Sequence, residues 1–462
     1  MSSLVNGPAA PAPLVTDGLP NPQRAFAFLT IAIALTMAVL DGAIVNVALP
    51  SIGKELQITP SDTIWVVTAY QLAVTVALLP LASLGDILGY KRVYWAGLAV
   101  FTAASFACAN AHSLVFLSGA RVVQGIGAAG IMSVNIALVR YIYPRAQLGV
   151  GVGYTALVVA VSSAAGPSVA STILSVAAWQ WLFLVNVPLG IIALFVAART
   201  LPVTPASGHR FDGLSALLNA VTFGLLIAGL DAFSDEGGSS RAALILAGAA
   251  VAALIFVWRE RRLAVPMLPV DLLRRPVFAL SMATSICSFA AQNMAYIALP
   301  FYFEQTLGRS EAATGFLMTP WPLMTALMAP IAGRLSDRVA PERLGSLGLV
   351  VLAIGLACLA SMGADPSSLD IGWRLAICGF GFGLFQSPNN RIIIASAPRE
   401  RSGAASGLQS TGRLLGQSIG AAVVAVVFGL VAHGETVLIA WMGAGLSLVG
   451  ALSSGFRRTN VR

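Results

Sequence analysis

The chain has 462 residues, of which 57% are hydrophobic and only 10% are charged, and its formal net charge is +8. Soluble domains carry about 25% charged residues, so this composition excludes a soluble globular protein. Repeated apolar runs of about 20 residues predict transmembrane helices, and the short alternating segments of a membrane β-barrel are missing. The sequence therefore predicts an all-α integral membrane protein.

The basic residues stand in short clusters between the apolar runs, as the positive-inside rule describes. They are not interleaved with aromatic residues, so we expect no nucleic-acid partner. The four cysteines lie inside apolar runs and the three histidines are far apart, so we expect neither a metal nor a cofactor. No G-x-x-x-x-G-K-[ST] loop exists, which disfavours an ATP-driven pump, and we do not expect an enzyme.

Residues 1–24 are predicted to form a disordered, retained cytoplasmic tail, because residues 1–23 lack the basic start of a signal peptide. Fourteen apolar runs follow, and their even number places both termini on one side of the membrane. If that side is cytoplasmic, most of the 27 Lys and Arg residues fall in inside loops or tails, so we expect a bacterial inner-membrane protein with both termini inside. The predicted helices lie near residues 25–49, 63–84, 93–111, 114–141, 149–174, 180–199, 212–232, 241–258, 277–302, 314–333, 344–362, 371–394, 403–432 and 436–455.

The first predicted helix contains an aspartate, Asp41, after the uncharged residues 25–40. Asp41 lies roughly 24 Å from the cytoplasmic edge, and Arg121 of the fourth helix lies roughly 10 Å from the outer edge, so both occupy the outer half at similar depth. Each charge costs about 3 kcal/mol or more without a partner or water. Two interpretations remain: Asp41 takes up and releases a transported proton beside Arg121, or the two form a structural salt bridge.

Segments about 250 residues apart resemble each other, as the repeats of secondary transporters do. The repeat predicts an N-terminal six-helix bundle over residues 25–200 and a C-terminal bundle over residues 276–456. Residues 201–275 are an inserted pair of helices with linkers, and residues 457–462 are a cytoplasmic tail. The matching segments, in order, are 47–50 with 297–300, 82–86 with 333–337, Arg121 with Arg374, Gly125 with Gly379, and Asn135 with Asn389.

Several motifs resemble the major facilitator superfamily, in its fourteen-helix drug:proton antiporter branch. The resemblance covers about residues 25–455, although the helix 5 motif keeps Gly153, Gly166 and Pro167 but has Ser162 where glycine is usual. The loop after the second helix also departs from the pattern, with Ala82 and Ile87. The matching stretches are LDGAIVNVALP at residues 40–50, DILGYKR at 86–92, RVVQG at 121–125 and WQWLFLVNVP at 179–188.

The resemblance implies a major facilitator fold, two six-helix bundles plus an inserted pair, that works by alternating access. It also implies gating roles for the loop after the second helix, its second copy and the helix 5 motif, although Lys91 and Arg92 have topology signalling as a second interpretation. The gating candidates are Asp86, Gly89, Lys91, Arg92, Asp337, Gly166 and Pro167.

A drug-sized site is mostly apolar with a few placed polar groups, and several predicted helices supply such polar and aromatic residues. Asn135 and Asn389 are also candidates for this cavity, and their alternative role is packing or water binding at the inner mouth. The substrate-binding candidates are Tyr70, Gln71, Gln124, Gln292, Asn293, Tyr296, Trp321, Phe385 and Gln386, with Asn390 as a further member.

Three other charges need an interpretation. Asp231 and Glu304 lie near outer helix ends, where solvated interfacial charges are common. Glu304 is nevertheless a proton-coupling candidate, because the aromatic residues 301–303 precede it and would suit a vestibule for aromatic cations. Arg413 lies inside a helix and is either a carboxylate partner or a structural lock.

The sequence thus favours a proton-driven exporter of hydrophobic compounds, preferentially lipophilic cations such as quaternary ammonium compounds, dyes and antiseptics. Its partners would be these small molecules, protons and the lipid bilayer, its energy source the proton gradient, and its state a monomer. With one intramembrane carboxylate, monovalent cations should be handled better than divalent ones. The alternatives are an exporter of one metabolite and a membrane sensor or scaffold that transports nothing.

Overall fold

The computed structural model describes residues 18–144, 147–204, 211–232, 239–263, 266–268, 270–336, 338–396, 402–430 and 435–457. These residues contain helices and connecting turns and no β-strand, in agreement with the predicted all-α class. The first half of the chain forms α1 (Gln23–Leu56), α2 (Pro60–Thr63), α3 (Trp65–Leu88), α4 (Tyr90–Ala109), α5 (Leu114–Ile142), α6 (Leu148–Leu174), α7 (Gln180–Leu184) and α8 (Asn186–Thr200).

The remainder of the chain is also helical in its described residues. It forms α9 (Gly213–Asp231), α10 (Ser239–Glu260), α11 (Val270–Leu273), α12 (Pro276–Phe301), a π-helical turn (Tyr302–Thr306), α13 (Glu311–Met318), α14 (Pro320–Leu335), α15 (Pro341–Ala360), α16 (Ser368–Ser396), α17 (Ser402–Leu430) and α18 (Glu435–Gly455).

Two predicted helices are interrupted where a proline removes a backbone donor. The sixth predicted helix divides into α7 and α8, because Pro188 cannot donate a hydrogen bond to the Leu184 carbonyl. The tenth divides into α13 and α14 at Thr319, just before Pro320. Each pair still continues in one direction and forms a single long apolar segment.

Within the described residues, thirteen segments are long and apolar enough to cross a membrane. The ninth predicted helix, near residues 277–302, is not one of these thirteen, but it is present as α12, whose 26 residues extend about 39 Å. Its Gln292, Asn293 and several Ser and Thr residues lower its hydropathy, and Asn293 uses its amide to donate to the Gln417 carbonyl at 2.7 Å.

Helix packing repeats between the halves. In the first half α3 and α4 pack on α5, α1 packs on α6 and α8, and α4 packs on α8. The equivalent contacts in the second half are α14 and α15 on α16, α12 on α17 and α18, and α15 on α18. The sequence repeat therefore corresponds to a repeated arrangement of helices.

The inserted helices α9 and α10 pack on each other, and α9 also contacts α3 and α17. Asp212 caps α9 by accepting from the Ser215 N–H at 3.1 Å and forms an ion pair with Arg259 of α10 at 2.9 Å. Asn219 donates to the Val76 carbonyl of α3 at 2.8 Å, which attaches the pair to the first half.

An apolar seal joins the two halves toward the C-terminal end of α1. It consists of buried side chains from α1, α12 and α17, and Ser61 adds a hydrogen bond to the Ala425 carbonyl at 3.0 Å. These buried side chains pack α1 against α12 and so join the two halves at that level. Its central members are Ile44, Val45, Ala48, Met294, Ile297, Ala298, Ala421 and Val424.

Glycines allow the repeated helices to approach closely at equivalent places. A Cβ on Gly127 of α5 would lie 2.8 Å from the Gly97 oxygen of α4, and a Cβ on Gly381 of α16 would lie 2.6 Å from the Gly348 oxygen of α15. Small residues at helix contacts are the usual basis of packing between transmembrane helices.

Replacing Gly381 by alanine should lower the thermal unfolding midpoint of the purified protein, because overpacking a close contact costs about 1–3 kcal/mol. Gly372→Ala on the same helix is the matched control, since a Cβ there meets nothing within 4 Å. Both variants gain the same helix propensity, so the control should be neutral or slightly stabilising. Equal unfolding midpoints for the two variants would contradict the close-contact explanation.

Candidate functional site

Asp41 of α1 is completely buried inside the first half of the molecule. Its Oδ2 forms an ion pair with Nη1 of Arg121, which α5 supplies, and both side chains are 0% exposed. Its Oδ1 accepts hydrogen bonds from Nε2 of Gln124 at 2.8 Å and from Nδ2 of Asn186 at 3.1 Å. Three donors from α5 and α8 therefore satisfy the ionised carboxylate.

Arg121 is held by more than its carboxylate partner. Its Nε donates to the Val66 carbonyl at 3.0 Å and its Nη1 donates to Oε1 of Gln124 at 2.6 Å. The guanidinium carbon lies 4.1 Å from the ring centroid of Tyr70 and 5.5 Å from that of Phe183. Such cation–π contacts stabilise a desolvated arginine by about 2 kcal/mol.

One donor of this network has no partner in the described structure. Arg121 Nη2 is buried and makes no hydrogen bond, although the other nitrogens of this guanidinium are used. An unsatisfied buried donor costs about 1–3 kcal/mol, more when it is charged. The site therefore contains a polar atom that can gain a partner if the network rearranges.

Gln124 connects the ion pair to α4. Its Nε2 also donates to Oγ of Ser105 at 2.9 Å, and the Cys108 thiol lies 3.6 Å from its Oε1. Sequence reasoning placed Gln124 in a substrate cavity, but the structure places it at 0% exposure beside Asp41. The amide group of Gln124 makes its hydrogen bonds within the charged network, so in this conformation Gln124 positions Asp41 and Arg121.

Sequence reasoning gave no role to Asn186 and Ser105, although the structure places both in the network. Asn186 stands inside the quoted stretch WQWLFLVNVP, and an amide directly after the apolar residues 181–185 was a usable signal. Ser105 had none, because serine is common in transmembrane helices and satisfies itself by donating to the carbonyl four residues earlier, here Phe101.

The substrate-binding candidates fall into two groups. Trp321 and Phe385 are 0% and 1% exposed and pack in the core of the second half, so they line no cavity in this conformation. Tyr70, Gln71 and Asn293 are also buried. The side chains that keep partial exposure are Gln292, Tyr296, Gln386 and Asn390.

Three aromatic candidates, drawn from both groups, contact one another or the ion pair. Tyr296 meets Trp321 edge to face with ring centroids 5.1 Å apart. Tyr70 donates its hydroxyl to the Ala38 carbonyl at 3.0 Å while its ring covers Arg121. The Tyr70 ring therefore encloses one side of the charged network.

The loop after the second predicted helix makes its contacts within the first half. Asp86 and Arg92 are exposed, and Asp86 accepts a hydrogen bond from the Tyr90 hydroxyl. Lys91 Nζ donates to the Ala198 and Leu201 carbonyls at 2.9 and 2.8 Å, which stabilises the C-terminal end of α8. Gly89 has φ +90°, a conformation that favours glycine.

Of the other gating candidates, Gly166 and Pro167 lie in the middle of α6, where a Cβ on Gly166 would lie 2.5 Å from the Ala43 Cβ of α1. Asp337 lies outside the described residues. Asn389 is buried and donates to Ser285 Oγ at 2.8 Å, and it accepts from Arg457 Nη1 at 2.6 Å. Asn389 therefore packs against Arg457, as the packing interpretation describes.

The repeat does not duplicate the ion pair. Arg374, the counterpart of Arg121, forms a pair with Asp370 at 3.1 Å on its own helix and donates to the Cys358 carbonyl. Arg413 of α17 is half-buried, and its Nε is buried without a hydrogen-bond partner among the described residues.

Neutralising Arg121 alone should destabilise the protein by about 3–5 kcal/mol, because it leaves a buried carboxylate without its cation. The test is the thermal unfolding midpoint of Arg121→Gln, Asp41→Asn and the double variant, each purified in detergent. The double variant should recover part of the loss, since no uncompensated charge remains. Additive losses in the double variant would show that the two side chains do not act as a pair.

Comparison with known proteins supplies the family. Residues 31–421 match the Major Facilitator Superfamily. The chain is 53% identical over 448 residues to the uncharacterized transporter YebQ of Escherichia coli, covering 96% of this chain and 98% of that protein. It is 30% identical over 449 residues to the riboflavin transporter RibZ of Clostridioides difficile, covering 94% and 97%.

A third relative is the multidrug resistance protein Stp of Mycobacterium tuberculosis, 32% identical over 434 residues, which cover 92% of this chain and 78% of Stp. Among solved structures, a bacterial homolog of the human lysosomal transporter Spinster superposes with a TM-score of 0.66 at 14% identity, covering 96% of this chain and all of that one. This likeness concerns the fold. With residues 31–421 matched and a full-length relative at 53% identity, the chain belongs to the Major Facilitator Superfamily and is a multi-pass membrane transporter.

Proposed function

We propose that this transporter is a proton-coupled efflux antiporter of the fourteen-helix drug:proton antiporter branch. It would export hydrophobic, preferentially cationic compounds by alternating access from a bacterial inner membrane with both termini in the cytoplasm. The observation that carries the proposal is the Asp41 carboxylate, sealed from solvent and bound to Arg121, Gln124 and Asn186. A buried, ionisable residue inside a membrane is by default a functional one.

Protonation of Asp41 would change the network in a defined way. The neutral carboxyl group can still accept a hydrogen bond but no longer forms the ion pair, so Arg121 loses its counter-charge while its Nη2 is free to take a new partner. A ligand shifts a conformational equilibrium only if it binds the two states differently. A proton at Asp41 satisfies this condition, because it removes the negative charge of the ion pair that joins α1 and α5.

The proton and the substrate would bind in sequence. Both carboxylate oxygens are occupied by protein donors in this conformation, so a cationic substrate can approach Asp41 only after Arg121 moves. Exchange of one proton for one monovalent cation moves no net charge, and it would draw on the pH gradient alone, about 1.4 kcal/mol per pH unit. Export of toxic compounds agrees with the name of the relative Stp, a multidrug resistance protein.

A second candidate function is the proton-driven export of one particular metabolite. The relative RibZ, named for riboflavin, supports this candidate, and so does Arg413, whose buried Nε has no partner in the described structure. A free guanidinium donor suits a polar or anionic acceptor on a substrate better than a quaternary ammonium ion. Enrichment of a single compound in the medium, lost on deletion, would favour this candidate.

Asp41→Asn should abolish efflux of a fluorescent lipophilic cation from membrane vesicles energised by an imposed pH gradient, because the variant cannot exchange a proton. Efflux rates are compared with those of wild type at equal protein levels. Asp365→Asn is the control, since Asp365 is 97% exposed and its loss removes the same charge elsewhere. Gradient-driven efflux of undiminished rate in Asp41→Asn would refute the assigned role.

A further inference from the structure

A cleft of about 910 Å³ opens between the two halves beyond the apolar seal. The end of α1 and α2 line it from the first half, and the π-helical turn and the start of α13 line it from the second. This cleft, named here the vestibule, includes Lys54, Gln57, Phe301, Glu304, Arg309 and Glu311. Its volume is in the range of small-molecule sites.

Glu304 is the most unusual side chain of the vestibule. It follows α12, in the π-helical turn, and its Oε1 is buried without a hydrogen-bond partner in the described structure. A carboxylate oxygen that is hidden from water and unpaired costs free energy unless a ligand or a proton satisfies it. The remainder of the cleft is wide enough for such a ligand.

The environment of Glu304 makes its proton affinity unusual. Burial, reinforced by the nearby Glu311 carboxylate, raises the pKa of Glu304 to about 8, while the nearby Thr314 hydroxyl and the Lys54 ammonium act in the opposite direction. Glu304 is therefore mostly neutral at pH 7 and mostly ionised at pH 9.

The other charges leave room for a cation. Lys54 lines the cleft as an exposed side chain, so its ammonium group can remain hydrated. Arg309 also lines the cleft, and its buried Nε has no partner among the described residues, but its Nη2 donates to the Pro366 carbonyl at 3.1 Å and lies 3.9 Å from Asp365, so a carboxylate other than Glu304 accompanies its charge. Glu311 adds a second carboxylate to the lining of the cleft, and Phe301, which is buried against Phe428, contributes an apolar part of its wall.

We propose that the vestibule is a second binding site, which takes monovalent organic cations through Glu304. It is separate from the charged network, because the apolar seal and about nine residues of α1, roughly 13 Å, lie between Asp41 and Pro50 at the edge of the cleft. Binding there needs no proton exchange at Asp41. Its use as a release site rests on the proposed export function.

The site would favour release into an acidic medium. A proton that reaches Glu304 from the vestibule neutralises its carboxylate, and this removes the negative charge that holds the cation. The same medium supplies the driving force for export, so acid outside both drives the exchange and empties the vestibule.

The test is equilibrium binding of tetraphenylphosphonium to the full-length Asp41→Asn protein in detergent, between pH 6.5 and 9.5. Affinity should rise about tenfold from pH 7 to pH 9, following ionisation of a group with a pKa of about 8. Glu304→Gln in the same background should lose this pH dependence and bind at least about tenfold more weakly at pH 9.

Three further variants make the assignment specific. Glu311→Gln should move the midpoint to lower pH and Lys54→Gln to higher pH, because Glu311 raises and Lys54 lowers the proton affinity of Glu304. Asp86→Asn should leave the profile unchanged, since Asp86 is exposed at the opposite end of α3. No binding, or an unchanged profile in Glu304→Gln, would overturn the proposal. Efflux that survives Asp41→Asn would instead contradict the export function and leave vestibule binding unaffected.

Discussion

The buried ion pair between Asp41 and Arg121 is the interaction on which the arrangement of the first half depends. Transferring two charges out of water costs several kcal/mol per ion, and the pair is tolerated only where further hydrogen bonds complete it. Here α1 and α5 supply the charges, α8 supplies Asn186, α4 supplies Ser105, and α3 supplies the Val66 carbonyl and the Tyr70 ring. Five helices are therefore positioned by one charged group, and the proton that can neutralise it acts on all of them.

Packing contacts of α6 link this ion pair to the second half. Gly166 contacts Ala43, two residues beyond Asp41, and on the other side a Cβ on Gly315 of α13 would lie 2.6 Å from the Pro167 carbonyl. Ser168 and Thr319 add a hydroxyl contact at 2.9 Å. Tight contacts of this kind transmit displacement because neither side can compress. Under the proposed function, a shift of α1 on protonation would therefore move α13, whose first turn carries Glu311 into the vestibule.

The sequence revealed the helices and the paired charges, because long apolar runs and the cost of a buried charge are strong local signals. It identified Asp41 and Arg121 without any contact information, and the repeat anticipated the matched packing of the halves. Trp321 and Phe385, which were predicted to line a cavity, pack in the core of the second half in this conformation. In a membrane the lipid-facing and core-facing sides of a helix are both apolar, so hydropathy does not show which way an aromatic side chain points. The vestibule is formed by segments more than 200 residues apart, and no local pattern encodes it.

Proton release on substrate binding tests the central claim most directly. The measurement uses a pH-indicator dye in weakly buffered solution with purified protein, in a Glu304→Gln background so that the vestibule does not contribute. We expect binding of a lipophilic cation to release about one proton per transporter when Asp41 is present and none in the added Asp41→Asn variant. Equal proton release with and without the Asp41 carboxylate would contradict the account.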